Sequence, residues 1–369
     1  MSNRSNSTGS SSKSQTAVEL PISKETRVLN LKTGTSILFS KDPSDREVKW
    51  LGIEDDVIWL KDTASGATEV WVGDAAEREK RSYCAGKIAS YAFHLKLKRL
   101  FNEHDDIAIA VACPTTSTGG MYTLKQGEDV VAEDEVTNAI WYTTLRKKPV
   151  TEDGTEARYI ISPTKWANAL RGTGLESPMP SPLGSMHDFD ISSSGIVFLS
   201  KDTTGGSPNF PSINVYYIPL KTFTEVSRPR PQIIRVKDYE GRSSHPVFSP
   251  NGGSVAFLKK QHPIDQNDRN RIIVINRIRD FRAYVTVDDM PTQQSEKSWH
   301  LSPFTFSWSD NGTELYVVAV DHGIRRLFKI PAALSSIKKE PEPITSESNT
   351  PADVRHLRMV FSAPMEARP

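Results

Sequence analysis

Short runs of alternating apolar and polar residues fill most of this chain, and each run ends at a turn signal. In Phe248–Phe257 an aromatic residue leads into a polar turn, and an apolar run of strand-forming residues follows. Trp308–Val317 has the same order, and Ile191–Leu199 is a shorter copy. Since Gly adopts positive φ without steric cost and Asn tolerates it, Asn251-Gly252 and Asn311-Gly312 predict tight hairpin turns between strands.

Repetition of this kind indicates one supersecondary unit used several times, and the blade of a β-propeller, with four short antiparallel strands, fits it. Further strand pairs are predicted around the turns Lys32-Thr-Gly34, Glu54-Asp-Asp56 and Asp105-Asp106. Outer strands are predicted at Ile213–Ile218, Arg271–Ile275 and Arg326–Ile330. The fold class is therefore all-β: a propeller of about six to seven blades, incomplete at both ends.

The middle of the chain gives a weaker version of the pattern. Ile140–Leu145 and Ala157–Ile161 predict a separate unit, and Lys165–Leu170 predicts a short helical turn after it. Around the propeller we predict four regions: a disordered Ser/Asn-rich tail over 1–25, the propeller over 26–333, a linker rich in Pro, Ser, Glu and Lys over 334–353, and the truncated start of a further strand over 354–369.

Composition excludes several functional classes. The 369 residues carry a net charge of +1, with 25% charged residues, so no nucleic-acid partner and no membrane partner is expected. Ile107–Ala112 and Leu315–Val320 are among the longest apolar runs, far below the roughly 20 residues of a membrane helix. The N-terminal 15 residues lack the apolar core of a secretory signal, so a cytoplasmic location is expected.

Two motifs superficially match known active or cofactor sites. Ser185, His187 and Asp188 have the residue types of a catalytic triad, but they lie almost adjacent in a loop, and triads are judged by geometry, so loop polarity is favoured. Gly172–Ser177 is one residue short of a dinucleotide fingerprint. Pro178 and Pro180 exclude the helix that would hold the phosphates, so a turn is predicted.

Other polar clusters have structural interpretations. Glu54-Asp-Asp56 and Asp105-Asp106 are turn residues. Histidines never fall at metal-ligand spacing: His94, His104, His187, His245, His262, His300, His322 and His356. A basic cluster surrounds one apolar strand, and we interpret it as a solvated outer strand protected from edge pairing: Arg269, Arg271, Arg277, Arg279 and Arg282. The sequence thus predicts no catalytic residue, no cofactor and no metal.

A family resemblance rests on several segments in a fixed order. They are Lys32-Thr-Gly34, Trp50-Leu-Gly52, Tyr83-Cys-Ala-Gly86 with Leu97, Ser185–Asp202, Val215–Leu220, Trp308–Gly312 and Lys329-Ile-Pro331. Over roughly residues 27 to 331, this sequence resembles the propeller of fungal dipeptidyl-peptidase V, a member of the prolyl oligopeptidase family of serine peptidases. The Asp-Phe-Asp-Ile-Ser context within Ser185–Asp202 is the most specific part of the resemblance.

The resemblance implies a propeller that covers an α/β-hydrolase active site and admits only short or unfolded peptides. Members of the family carry the nucleophile in Gly-x-Ser-x-Gly, and this chain has no such motif. We therefore expect a non-catalytic, substrate-gating propeller, inactive alone, which meets peptide substrates only within a full-length enzyme. The alternative is a free-standing propeller that acts as a protein–protein interaction scaffold.

Overall fold

The computed structural model describes the following residues of the chain: 25–52, 55–116, 120–121, 136–148, 158–161, 166–180, 183–207, 210–225, 227–263, 268–280, 284–286, 301–332, 341 and 343–345. The predicted 1–25 tail, apart from Glu25, and the predicted strand in 354–369 lie outside them. The chain divides into two compact units, Met1–Pro43 and Ser44–Pro369.

The first unit contains one hairpin. Strands β1 (Thr26–Leu29) and β2 (Ser36–Ser40) pair antiparallel. The side chain of Asn30 closes the turn by accepting hydrogen bonds from the amides of Lys32, at 2.9 Å, and Thr33, at 3.2 Å. The predicted hairpin around Lys32-Thr-Gly34 is confirmed.

The second unit forms five antiparallel sheets within its described residues. Sheet 1 contains β3 (Asp45–Trp50), β4 (Asp56–Asp62), β5 (Thr68–Asp74), the helix α1 (Arg78–Arg81) beside it, and β6 (Tyr83–Ile88). Sheet 2 contains β7 (Phe93–Arg99), β8 (Ile107–Thr115), β9 (Thr137–Lys148), β10 (Arg158–Ile161) and β11 (Ala167–Asn168). Sheet 3 contains β12 (Phe189–Ser192), β13 (Gly195–Ser207), β14 (Phe210–Pro219) and β15 (Gln232–Ile233). Sheet 4 contains β16 (Ser243–Phe248), β17 (Val255–Lys259), β18 (Arg271–Ile275), a 3₁₀ turn (Ile278–Asp280) and β19 (Tyr284–Thr286), and sheet 5 contains β20 (Pro303–Trp308), β21 (Glu314–Asp321) and β22 (Ile324–Pro331).

Strands follow one another in space as they do in sequence, and the sheets pack face to face in chain order. Side chains of β13 show this directly. Ile196 and Phe198 enter the hydrophobic cluster shared with sheets 1 and 2, whereas Val197 and Leu199 enter the cluster shared with sheet 4. Successive side chains of a strand point to opposite faces, so both faces of the sheet are buried. This is the packing of propeller blades, and the predicted all-β propeller class is confirmed.

The repeated turn motif has the same geometry in sheets 4 and 5. Ser249 Oγ lies 2.7 Å from Asn251 Oδ1 and accepts the amide of Ser254, and Ser309 repeats both contacts with Asn311 and Glu314. The connections span six residues in sheet 4 and five in sheet 5 and so are wider than the tight turns predicted. The turn of sheet 4 also packs closely against the end of β12 in sheet 3. Gly252 lies so near Ser192 that a Cβ atom added to the glycine would be 3.0 Å from Ser192 Cβ.

Three predictions about strand order are wrong. Ile140–Leu145 and Ala157–Ile161 do not form a separate unit, because β9 pairs with β8 and β10 pairs with β9. In place of the helical turn at Lys165–Leu170, β11 pairs with Tyr142 and Trp141 of β9. Strands β14 and β18 are not outermost, since β15 and β19 pair beyond them. β11, β15 and β19 have only two or three residues, too few for the sequence to specify, and in all three cases backbone pairing with an existing sheet decides the outcome.

Part of the predicted 334–353 linker pairs with sheet 5. Pro343 forms an antiparallel bridge with Phe328 of β22. The amide of Ile344 donates to Leu327 O at 2.7 Å, and the amide of Leu327 donates to Thr345 Oγ1 at 3.2 Å. These residues therefore lie beside β22, where the other sheets have a fourth strand. The described part of the chain contains no helix that is long and apolar enough to cross a membrane.

The buried Lys259 makes stability depend on pH. Its side chain, at the end of β17, is 2% exposed, and its Nζ donates to Gly241 O and Ser243 Oγ, both at 3.1 Å. Burial lowers the pKa of Lys259 to about 8. The unfolded chain, with a lysine pKa of about 10.4, then holds one more proton than the folded protein between these values.

We therefore expect the free energy of unfolding to rise with pH from about 8 to about 10, by about 2 kcal/mol. Urea unfolding curves at several pH values measure it. The variant Lys259→Met removes this titrating group and should reduce the rise by about half, because burial also lowers the pKa of Lys49 to about 8 and that lysine remains. The variant also lowers stability at every pH. An unchanged slope in this variant would contradict the assignment. The rise ends near pH 10. Burial raises the pKa of Tyr83, Tyr142 and Tyr159 to about 12 in the folded protein, so above pH 10 the unfolded chain loses these protons first and the free energy of unfolding falls.

Candidate functional site

The first strands of sheets 1 to 4 lie next to one another. β3 contacts β7, β7 contacts β12, and β12 contacts β16. Polar side chains on and beside these strands form a surface that we call the inner-strand face: Glu47, Lys49, His94, Lys96, Lys98, His187, Asp190 and His245. In a propeller the first strand of each blade lies next to the axis, so this face lies where a passage would be.

β-bulges shape the inner-strand face. The register of the first strand shifts at Glu47 in β3, at His94 in β7 and at His245 in β16. All three residues have φ between 54° and 56°, the left-handed region that non-glycine residues rarely adopt. Bulges re-aim side chains, and here they bring neighbouring sheets into contact.

Two contacts across sheets hold the bulges in place. The carboxylate of Glu47 accepts the amides of His94 at 2.7 Å and Leu95 at 2.6 Å, which ties sheet 1 to sheet 2. The rings of His187 and His245 stack with their centroids 4.5 Å apart, which ties sheet 3 to sheet 4. Burial lowers the pKa of His94, so its imidazole is neutral at pH 7.

Three lysines make the inner-strand face basic. Burial and the charge of Lys96 lower the pKa of Lys49 to about 8, and its ammonium makes no hydrogen bond or ion pair with any described residue. Lys98 Nζ donates to Pro250 O at 2.6 Å, which links sheet 2 to the repeated turn of sheet 4. Asp190 Oδ2 accepts the amide of Phe248 at 2.9 Å and favours the charged state of Lys49 and Lys98. This surface can hold the carbonyl and carboxylate groups of a peptide.

The triad-like residues form a polar turn. Ser185 Oγ donates to Asp188 Oδ1 at 3.0 Å and accepts the amide of His187 at 3.1 Å. Asp188 Oδ2 accepts the amide of Met179 at 3.0 Å, and burial raises the pKa of Asp188. The serine hydroxyl is thus engaged by the carboxylate rather than by the imidazole, as in a side-chain-stabilised turn. That the chain has no catalytic residue stays a prediction.

The remaining predicted clusters have structural partners. Asp106 pairs with Arg146 through two contacts of 2.8 Å, and Asp105 pairs with Arg99. Glu54 lies outside the described residues, and the carbonyl of Asp55 accepts the amide of Ala75. In the described part of the chain, no three His, Cys, Asp or Glu side chains come together as a metal site.

The interpretation of the basic cluster as a solvated outer strand is wrong. β18 pairs on both sides and is largely buried, and Arg271 at its start forms an ion pair with Asp268 at 2.9 Å. Arg282 lies outside the described residues. The physical reason is that the short β19, which has little sequence signal, covers the edge.

Relatives of this chain among known proteins include fungal dipeptidyl-peptidases. Dipeptidyl-peptidase 5 of Trichophyton equinum is 26% identical over 363 residues, covering 91% of this chain and 45% of that enzyme. Dipeptidyl-peptidase 5 of Trichophyton schoenleinii is 27% identical over 333 residues, which cover 83% of this chain and 42% of that enzyme. The chain is homologous to fungal dipeptidyl-peptidase 5. The family resemblance found in the sequence is thereby confirmed, and the chain spans less than half the length of these dipeptidyl-peptidases.

No protein-family model matches the chain. Among solved structures, the β-propeller domain of the Trilobed protease from Pyrococcus furiosus aligns over 87% of this chain and 74% of that domain, with a TM-score of 0.46 and 10% identity. This similarity is too low to support a conclusion, so the propeller assignment depends on the order and packing of the sheets described above.

Sequence reasoning missed the inner-strand face. The spacing of the histidines excludes a metal site but does not indicate this face, and no motif marks its other members: Glu47, Lys49, Lys96, Lys98 and Asp190. One signal was available: Lys96 and Lys98 alternate with Leu95 and Leu97, which places both lysines on one side of β7. The convergence of four first strands has no signal in a single sequence, since it depends on how the sheets pack.

Proposed function

We propose that this chain is the peptide-gating propeller portion of a dipeptidyl-peptidase 5-like serine peptidase. The observation that carries the proposal is the homology, which covers 91% of the chain and 45% of the relative. The described sheets contain no alternation of strands and helices of the hydrolase type, and the sequence has no Gly-x-Ser-x-Gly nucleophile motif. Peptide-bond hydrolysis would then depend on a separate hydrolase domain.

The inner-strand face supports a role in peptide passage. Its lysines and carboxylates offer donors and acceptors to an extended backbone, and the proximity of β3, β7, β12 and β16 limits the width available. A folded protein cannot enter a gap a few strands wide, whereas a short peptide can. Selection by size would therefore follow from geometry, and Lys49 would favour peptides that present a carboxylate.

A chimera tests the proposal. The matching portion of Trichophyton equinum dipeptidyl-peptidase 5 is replaced by this chain, and hydrolysis of a dipeptide amide is compared with hydrolysis of a folded protein. We expect the chimera to cleave the dipeptide amide and to leave the folded protein intact. The purified chain alone should give no hydrolysis and no labelling by a serine-reactive fluorophosphonate.

The control is the dipeptidyl-peptidase with its matching portion deleted. If the chimera and the deleted enzyme cleave the folded protein equally fast, the gating role is wrong. Hydrolysis by the purified chain alone would also contradict the proposal. A chimera that folds but does not cleave the dipeptide amide, together with a stable free chain, would favour the scaffold alternative.

A further inference from the structure

A second polar site lies away from the inner-strand face. The turn after β11 and the segment around β15 enclose a cleft of about 810 Å³, within the size range of small-molecule sites. We call it the arginine cleft, because Arg171, Arg228, Arg230 and Arg235 line it. β11 and β15 are edge strands of sheets 2 and 3, whereas the first strands of those sheets are β7 and β12, so the two sites are separate.

The four guanidinium groups are only partly neutralised by the protein. Arg228 donates to the carbonyl of Asn168. Arg171 and Arg230 are exposed, and neither makes a hydrogen bond or an ion pair with another described residue. Asp202 is the one carboxylate among the lining residues of the described chain. One carboxylate does not balance four guanidinium groups, so the cleft carries excess positive charge and favours an anion.

Other residues of the cleft add hydrogen-bond donors. Burial raises the pKa of Tyr216 to about 12, so its hydroxyl stays protonated at neutral pH. In the turn after β11, Gly172, which lines the cleft, and the nearby Gly174 have φ of 75° and 71°, and the positions of their missing Cβ atoms are open. A ligand can therefore approach the backbone there, and the amides of these glycines donate to no other described residue.

Apolar residues also line the cleft. Pro229 and Pro231 lie between the arginines in sequence, and Leu175 and Ile233 also line the cleft. Guanidinium groups bind phosphate through two parallel hydrogen bonds, while an apolar wall suits a ring or alkyl group. The combination fits a ligand with an anionic head and an organic body better than it fits an inorganic ion.

We propose that the arginine cleft binds an organic phosphate monoester, with the phosphate held by Arg171 and Arg230 and the organic group against Pro229 and Pro231. The site is independent of any peptidase role. Its ligand could be a free metabolite or a phosphorylated side chain of a peptide, because both present the same head group.

Titration calorimetry on the full chain at 150 mM salt tests the site with three probes: phenyl phosphate, inorganic phosphate and a short phosphotyrosine peptide. We expect phenyl phosphate to bind about tenfold more tightly than inorganic phosphate. Stronger binding of the peptide than of phenyl phosphate would identify a peptide source, and equal or weaker binding a free metabolite. Either result supports the site, whereas no binding of either organic probe would overturn it.

The double variant Arg171→Gln/Arg230→Gln should weaken binding of phenyl phosphate at least tenfold with an unchanged unfolding midpoint, since both side chains lack partners. Arg81→Gln, which removes an exposed arginine on α1, is the matched control and should bind as the natural chain does. If both variants bind equally well, the cleft is not the site. Should the double variant not fold, the single variant Arg171→Gln gives the same test, and unchanged binding of phenyl phosphate by it would count against the site.

Discussion

Replacing Gly195 with alanine is expected to lower the free energy of unfolding by about 3 kcal/mol or more. Gly195 opens β13 in the shortest copy of the repeated turn, with φ of 138°, a conformation that side chains disfavour. A Cβ there would lie 2.0 Å from Ile218 O and 2.8 Å from Leu220 N. Both atoms belong to the backbone, so β14 or the segment after it would have to move. Urea unfolding followed by tryptophan fluorescence measures the loss.

Gly323→Ala is the matched control for this prediction. Gly323 has φ of 80° in the turn between β21 and β22, but nothing lies within 4 Å of its Cβ position. It therefore reports the backbone cost alone, about 1 to 2 kcal/mol. If both variants lose the same stability, the contact of Gly195 with β14 contributes nothing.

Replacing Asp188 with alanine should have an effect of similar size, about 3 kcal/mol. The carboxylate is 2% exposed and accepts hydrogen bonds from the amides of Met179 and Ser185 and from the Ser185 hydroxyl. Removing it leaves the buried amide of Met179 without a partner, which is costly, and breaks the two hydrogen bonds with Ser185 that hold the turn. The midpoint of urea unfolding gives the magnitude.

Ser185→Ala separates the turn interpretation from a catalytic one. It removes only one donor to Asp188, and Ser185 is exposed, so the loss should be about 1 kcal/mol. Labelling of the natural chain by a fluorophosphonate that disappears in Ser185→Ala would show a reactive serine and contradict the turn interpretation. A stable Asp188→Ala variant would contradict it as well.

The sequence determined the local structure of this protein. Aromatic and β-branched runs bounded by acidic, Ser-Gly or Asn-Gly turns were enough to predict β4, β8, β13 and β17, since both the strand preference and the turn preference act over a few residues. Repetition of the motif around Gly252 and Gly312 was enough to predict propeller blades. The order of the segments that resemble the dipeptidyl-peptidase propeller was enough to indicate the homology with dipeptidyl-peptidase 5.

Tertiary packing decided the rest. The assignment of β9 and β10 to the sheet of β8, and of the short β15 and β19 to sheet edges, depends on backbone pairing that is insensitive to side-chain type. The inner-strand face depends on contacts such as that of Lys98 with Pro250. The arginine cleft depends on the packing that places Arg171 and Arg230 around one space. A single sequence records which residues prefer strands and turns, but residues distant along the chain meet only because whole sheets bury their apolar faces against each other.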